Sequence, residues 1–489
     1  MKSACLFQFL NEHHELRGSN WDKAEWSKLW RYNLHYFDDL NAIGAPDRET
    51  WHHLLLERWV HQNPPGTGTG WEPYPTSLRI VNWIKWSLAG HQLTDEQLQS
   101  LAIQVRWLSR RLERHILGNH LLANAKALVF AGLFFEGPEA DRWLKCGIEI
   151  LADELYEQIL PDGGHFELSP MYQAIVIEDL LDLVNLSSIF DRNPYPLPVS
   201  DWIMPLQKMI DWLRVMTHPD GGLSFFNDSA LGISAELRVL EAYAKLLNID
   251  IRPLEHSACH RLADSGYLRA NIKPATLLVD MAHLGPDYLP AHGHADTLSF
   301  ELSLSEQRFL VNSGISCYGV GTERQRQRGT AAHNTLIVDQ ADSSEVWGGF
   351  RVGRRAAPEV LQVESSVGAQ GESIDLGGAH NGYEYLVGKP THYRHWQLTK
   401  SGLRVSDSVQ GGFKHAQARF HIHPDWLVEL DGRGGMARCS DGKEVRIEVL
   451  SGQPRLEYDQ YHPEFGLSVT NRCLSIDAEA GRVSVEFRW

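Results

Sequence analysis

The hydrophobic period of this chain changes once, between about residues 250 and 262, and that change limits the fold more than any motif does. Before it the period is helical. In "TDEQLQSLAIQVRWLSRRLERHIL" (94–117) the apolar positions Leu98, Leu101, Val105, Leu108 and Leu112 recur at helix spacing, and Thr94 with Gln97 forms a capping box at the start. Leu144, Ile148, Leu151, Leu155 and Ile159 repeat the pattern. Further helices are expected over about 76–89, 121–135, 170–190, 200–216 and 234–247. After the change the period is two. In "TLSFELSL" (297–304), Leu298, Phe300, Leu302 and Leu304 face one way and Ser299, Glu301 and Ser303 the other. Short runs at 276–283, 308–312, 334–339, 403–409, 416–423, 444–450 and 482–488 alternate likewise.

"PDGG" follows a helix at 161–164 and again at 219–222, which predicts stacked helical hairpins. The reading is an α+β multidomain chain: an incomplete α/α toroid over 1–255, then an antiparallel β-sandwich over 256–489. With no low-complexity linker between them, the cleft between the halves is the expected binding site.

Composition narrows the function. A length of 489 residues exceeds one ordinary core. A formal charge of −16 argues against nucleic acid as a partner. It also means that an acidic substrate requires a local basic patch. No apolar run approaches the roughly 18 residues of a membrane span. The start, "MKSACLFQFLNEHHE", has no small-residue cleavage site, so no export signal is expected. That reading places the protein in the cytoplasm, or in the periplasm if a signal has been removed. The six cysteines are scattered singly and suggest reduced thiols.

Four polar stretches stand out. "GNHLLANAKAL" (118–128) begins a helix with Asn119-His120, where an Asn is an ordinary cap. "DGGHFELSPMYQ" (162–173) leads into a helix carrying Tyr172 in its first turn. "AHGHADTLSFEL" (291–302) holds His292 and His294; with 24 His in the chain roughly one HxH arises by chance, and a second occurs at His421 and His423. "ERQRQRGTAAHNTLIVD" (323–339) alternates Arg324, Arg326 and Arg328 before His333-Asn334. Alternating arginines usually mark a solvated strand face; joined by Arg351, Arg354 and Arg355 they are also the candidate basic patch.

In this order, a helical half followed by a β half, the four stretches and "SSEVWGGFRVGRRA" (343–356) resemble the heparinase II/III-like polysaccharide lyases, whose relatives include enzymes acting on alginate. The resemblance implies catalytic roles for Asn119, His120, Tyr172 and His292. Asn119 would help neutralise a uronate carboxylate, Tyr172 would act as acid and base, and His292 would assist with the proton. It implies His294 and His333 as zinc ligands. The third family ligand is an Asp at the position that Asn312 fills in "VNSG", so zinc should bind more weakly here. A hairpin turn near 305–308 sets Asn312 near Glu301 rather than beside His294, so its place as a ligand follows from resemblance alone. Asp296 reads as a strand cap or a supporting partner. Arg324, Arg328, Trp71, Tyr74 and Arg79 are candidate substrate contacts, with helix packing the simpler role for the last three.

The implied chemistry suits these residue types. A uronate C5 proton can be removed only when the neighbouring carboxylate is neutralised, and the leaving oxygen at C4 needs an acid. A tyrosine, titrating near 10, serves as base only beside groups that favour its phenolate. A hydrolase would use two opposed carboxylates, for which Glu167 and Asp228 are the available candidates. The expected function is β-elimination on an acidic, uronate-containing polysaccharide. A uronate C5-epimerase and a non-catalytic polysaccharide-binding or assembly protein are the alternatives.

Overall fold

The computed structural model describes residues 1–190, 196–368 and 371–489. As expected, a helical N-terminal region precedes antiparallel sheets. The chain forms two compact units: residues 1–158 with 178–206, and residues 159–177 with 207–489.

The first unit is built on helices Pro73–Leu88, Gly118–Phe134 and Pro138–Gln158, packed in succession. Glycine sets the closest approach. A Cβ on Gly147 would lie 2.8 Å from the Ala125 carbonyl oxygen and from Val129 Cγ2. We expect Gly147→Ala to destabilise the fold by about 1–3 kcal/mol, measured by denaturant unfolding. The capping box at Thr94 and Gln97 is present, but that helix ends at Leu108 and leaves Leu112 outside. Beyond it the Glu113 backbone N–H donates to Asn124 Oδ1 at 2.8 Å, which turns the chain inward. The helical reading of the first residues is also corrected: Leu6–Phe9 pairs antiparallel with Glu12–Glu15.

Trp71 and Arg79, candidate substrate contacts for which helix packing was the simpler role, are core residues of this unit. The Arg79 guanidinium lies 4.0 Å from the Trp59 ring centroid and donates to Gln104 Oε1 (2.9 Å) and the His35 carbonyl (3.2 Å). Burial pushes the His35 imidazole down to about 3, with the Arg79 charge acting the same way. An unfolded His titrates near 6.5, so protons favour the unfolded chain below that value. Stability should therefore fall from about pH 6.5 towards 3, by up to about 1.4 kcal/mol per pH unit from this group. Thermal unfolding of His35→Phe against the parent across that range checks it, because the variant's slope should be shallower.

The second unit is a sandwich. One sheet has eight strands, from Pro358–Gly368 at one edge to Trp426–Asp431 at the other. The second has nine, from Gln453–Tyr461 to Cys259–Leu262. Phe300, Phe420 and Ile476 of the nine-stranded sheet meet Leu376, Val405 and Phe487 of the other in one core. The polar face of strand Phe300–Leu304 is buried as well, because Glu301 and Ser303 both bond the imidazole of His218 at 2.8 Å.

The two PDGG segments are tight turns between helices, the first between Pro138–Gln158 and Pro170–Ile189 and the second between Leu206–Val215 and Leu237–Leu246. Each closes a short antiparallel bridge, Ile159 with His165 and Thr217 with Leu223. Gly163 (φ +93°) must lack a side chain, since a Cβ there would sit 2.3 Å from the Lys208 backbone. Asp220 of the second turn pairs with Arg308 at 2.7 Å on the nine-stranded sheet. These attachments hold residues 159–177 and 207–231 with the sheets, which explains the division into units.

Candidate functional site

The two turns deliver the site. The first is followed by His165, Glu167 and Tyr172, the second by Asn227 and Asp228, and both segments belong to the second unit. The Ser169 hydroxyl joins them by donating to the Asp228 carbonyl at 2.6 Å. The loop carrying His292 and His294 meets the second segment, with the Asp228 N–H donating to the His292 carbonyl at 3.1 Å.

Asp228 is the hub. One carboxylate oxygen takes His292 Nδ1 at 2.8 Å, and the other takes His294 Nε2 at 2.9 Å. Arg324 closes a bidentate pair on the same carboxylate, with Nη2 at 2.7 Å and Nη1 on the other oxygen. Burial alone would raise the Asp228 carboxyl; the Arg324 charge and the two imidazoles hold it well below the usual range instead. It stays ionised and accepts from both rings. His292 therefore donates from Nδ1 and turns Nε2 away from Asp228. That nitrogen lies 3.9 Å from Glu167.

Tyr172 packs against His292 with ring centroids 4.3 Å apart, and its hydroxyl lies 3.0 Å from that of Tyr318. Burial, reinforced by the Asp228 charge, pushes the Tyr318 phenol well above 10, so it remains a proton donor. Phe350 stands 5.2 Å from the Tyr318 ring and 6.0 Å from the His292 ring.

The cluster beneath has a different character. His294 Nδ1 and His333 Nε2 are 3.1 Å apart. His333 Nδ1 lies 2.9 Å from the Gly329 carbonyl, which only accepts, and His294 Nε2 donates to Asp228. Two neutral rings so fixed turn lone pairs towards each other. Burial pushes His294 down to about 4 and lowers His333, which keeps both neutral. With an Asp296 carboxylate oxygen, their ligand atoms lie within 4.8 Å of one another. Neighbouring ligands around a tetrahedral zinc sit about 3.3 Å apart, so the residues fit such an ion.

Asn312 does not complete this set. Its Oδ1 accepts from the Asn334 N–H at 3.0 Å, its Nδ2 donates to the Phe225 carbonyl at 3.1 Å, and its N–H donates to Glu301 Oε1 at 2.8 Å. The hairpin register that sets it by Glu301 commits the amide to backbone partners. The carboxylate facing the two histidines is that of Asp296.

Asn119 and His120 lie in the first unit, at the start of Gly118–Phe134. Glu113 Oε1 takes His120 Nδ1 at 3.0 Å, and Tyr74 stacks on the imidazole with centroids 4.3 Å apart. The other arginine expectations change. Thr322–Arg328 is a short helix, not a strand, and Arg324 and Arg328 are buried in it. Arg324 is neutralised by Asp228, and Arg328 donates to the Gly293 carbonyl at 2.9 Å. Neither is a free substrate contact. What lies open is the segment they hold, because Arg324 donates to the Gly349 carbonyl at 3.0 Å. There Trp347 is 52% and Phe350 39% exposed, and Arg351 lies 5.5 Å from the Trp347 ring.

Sequence reasoning overlooked Tyr318 and Glu113, and it treated Asp228 only as a hydrolase candidate. The repeated PDGG was the available signal for Asp228. For Tyr318, in "VNSGISCYG", there was none.

A helical N-terminal region is followed by an antiparallel sandwich, with Tyr172, His292 and Asp228 gathered at buried loops of the second unit. The chain belongs to the heparinase II/III-like family: the heparinase II/III N-terminus model matches residues 20–249 and the heparinase II/III-like C-terminal model residues 256–489. It is 29% identical over 257 residues to a heparin-sulfate lyase of Bacteroides stercoris, covering 47% of this chain and 38% of that protein. It is 25% identical over 364 residues to a heparin-sulfate lyase of Bacteroides thetaiotaomicron, covering 64% of this chain and 51% of that protein. The chain thus matches about half or less of the length of these relatives. A crystal structure of heparinase III shares the fold, with a TM-score of 0.79 and 19% identity, over 97% of this chain and 80% of that one.

Proposed function

We propose that this protein is a polysaccharide lyase that cleaves an acidic, uronate-containing polymer by β-elimination. The arrangement that carries the reading is Tyr172 held between the Tyr318 hydroxyl and the His292 ring, with His292 fixed by Asp228. The names of the relatives support a lyase and suggest a heparin-type polymer as the first substrate to try.

In this reading Tyr172, as phenolate, takes the C5 proton. The electron pair forms the C4–C5 double bond as the C4–O bond breaks. The tyrosine then returns the proton to the leaving oxygen, so the residue ends as it began. Tyr318, kept protonated by burial, donates to the Tyr172 oxygen and stabilises its anion. His292 stands against the phenol ring with Nδ1 fixed on Asp228. In the first unit, Glu113 fixes the His120 ring. The exposed Trp347, Phe350 and Arg351 supply an aromatic and cationic surface of the kind an acidic sugar requires. His294, Asp296 and His333 would hold a divalent cation of the zinc class, which would stiffen the loop carrying His292.

The test is the ultraviolet absorbance of unsaturated ends across heparin-type, chondroitin-type and alginate polymers. Tyr318→Phe should lower kcat by about 10–100-fold with KM little changed, since it removes one hydrogen bond to the developing phenolate. Trp347→Ala should instead raise KM by about 10-fold or more while sparing kcat. Exchange of C5 hydrogen for deuterium without chain cleavage would select an epimerase. Binding without either reaction would select the non-catalytic alternative.

A further inference from the structure

A second cluster lies away from the Tyr172 site, on three neighbouring strands of the nine-stranded sheet: Ala416–Ile422, Val469–Asp477 and Gln453–Tyr461. Register places His421 directly opposite Cys473, and Cys473 opposite Glu457, two residues before Asp459. Side chains alternate along a strand, so Phe420, Ile422 and Leu474 fill the core while His421, Cys473 and Asp459 share the other face. His421 and Cys473 are completely buried there.

His421 is the anomaly. Among the described residues neither of its ring nitrogens meets a side-chain partner in normal hydrogen-bond geometry, and the Ala331 backbone is the weakest of the influences on the ring, although buried polar groups are nearly always satisfied. Asn471 Oδ1 and Arg419 Nε, on the same face, are likewise unmatched. His421 Nδ1 points to Asp459, 3.4 Å from Oδ2, and ligand atoms of His421, Asp459 and Cys473 all lie within 4.8 Å of one another.

We propose that His421, Asp459 and Cys473 form a second divalent-cation site of the zinc class, tying three strands of the sheet together. An imidazole nitrogen, a carboxylate oxygen and a thiolate make a set suited to zinc; magnesium and calcium favour oxygen throughout. Asp459 is already engaged by the Gln460 N–H (2.8 Å), Arg419 (2.9 Å) and Arg326 (3.3 Å). A carboxylate offers about four acceptor positions, so room for a cation remains. Burial pushes the Cys473 thiol up to about 12, so the ion must displace its proton to solvent, and binding strengthens as pH rises. The site is independent of the lyase reading.

Cobalt substitution of the full chain tests it. The cluster His294–Asp296–His333 holds no sulfur, so a sulfur-to-cobalt charge-transfer band in the near ultraviolet reports only a cysteine site. The wild type should show the band, and Cys473→Ser and His421→Gln should each abolish it and lose one bound equivalent. Circular dichroism would establish that both variants are folded. A band accompanied by only one equivalent supports this site and removes the other cluster. Folded wild type without the band, or a band that survives Cys473→Ser, overturns the proposal.

Discussion

Tyr172→Phe is expected to lower kcat on the cleaved polymer by about 10³-fold or more. General acid–base catalysis contributes roughly 10²–10⁴-fold, and here one hydroxyl both takes the C5 proton and returns it to the leaving oxygen. The phenyl ring keeps its packing 4.3 Å from His292, so the unfolding midpoint should change little. The hydroxyl contact with Tyr318 is lost. Initial rates, with calorimetric binding of the uncut polymer to the variant, separate chemistry from affinity. A variant that keeps more than about a tenth of the rate removes Tyr172 from the proton path. A wild type inactive on every uronate polymer sinks the lyase reading itself.

Asp228→Asn should have the second large effect, and it should be double. The substitution leaves Arg324 fully buried beside a neutral amide, and removing one partner of a buried pair costs about 3–5 kcal/mol. It also replaces two accepting carboxylate oxygens by one amide oxygen, so His292 and His294 can no longer both donate to it, and kcat should fall by about 10²–10⁴-fold. The sign with pH follows from the depressed carboxyl of Asp228. Its stabilisation is present above the unfolded aspartate value near 3.9 and is lost as pH falls through the lower folded value. The variant should lack that part of the acid sensitivity. Denaturant unfolding from pH 7 down to about 3 measures the difference; unchanged stability with an unchanged pH–rate profile would refute the hub.

Much of the architecture was legible because it repeats locally. The capping box at Thr94 and Gln97 and the alternation at 297–304 are written in neighbouring residues, and a packing face imposes each period on its own segment. The family resemblance rested on short motifs of the same kind. Local pattern failed where a segment's environment came from far along the chain. Arg324 and Arg328 looked like solvated charges, but Arg324 finds its counter-charge 96 residues earlier, and Arg328 its carbonyl acceptor 35 residues earlier. Trp71 and Arg79 were candidates for a sugar subsite beside the simpler reading of helix packing, and the partners that claim them, Trp59 and Gln104, come from other helices.

The sequence by itself determined the change from helix to antiparallel sheet, the positions of Tyr172 and the HGHAD loop, and the absence of an Asp at position 312. Tertiary structure decided which groups those histidines meet. It set Asp228 between His292 and His294, turned Tyr318 towards Tyr172, and faced Asp296 rather than Asn312 towards His294 and His333. The physical reason is the same in each case: a buried charge or imidazole must be matched within about 3 Å, and which distant residue supplies the match depends on how the turns close, not on local spacing.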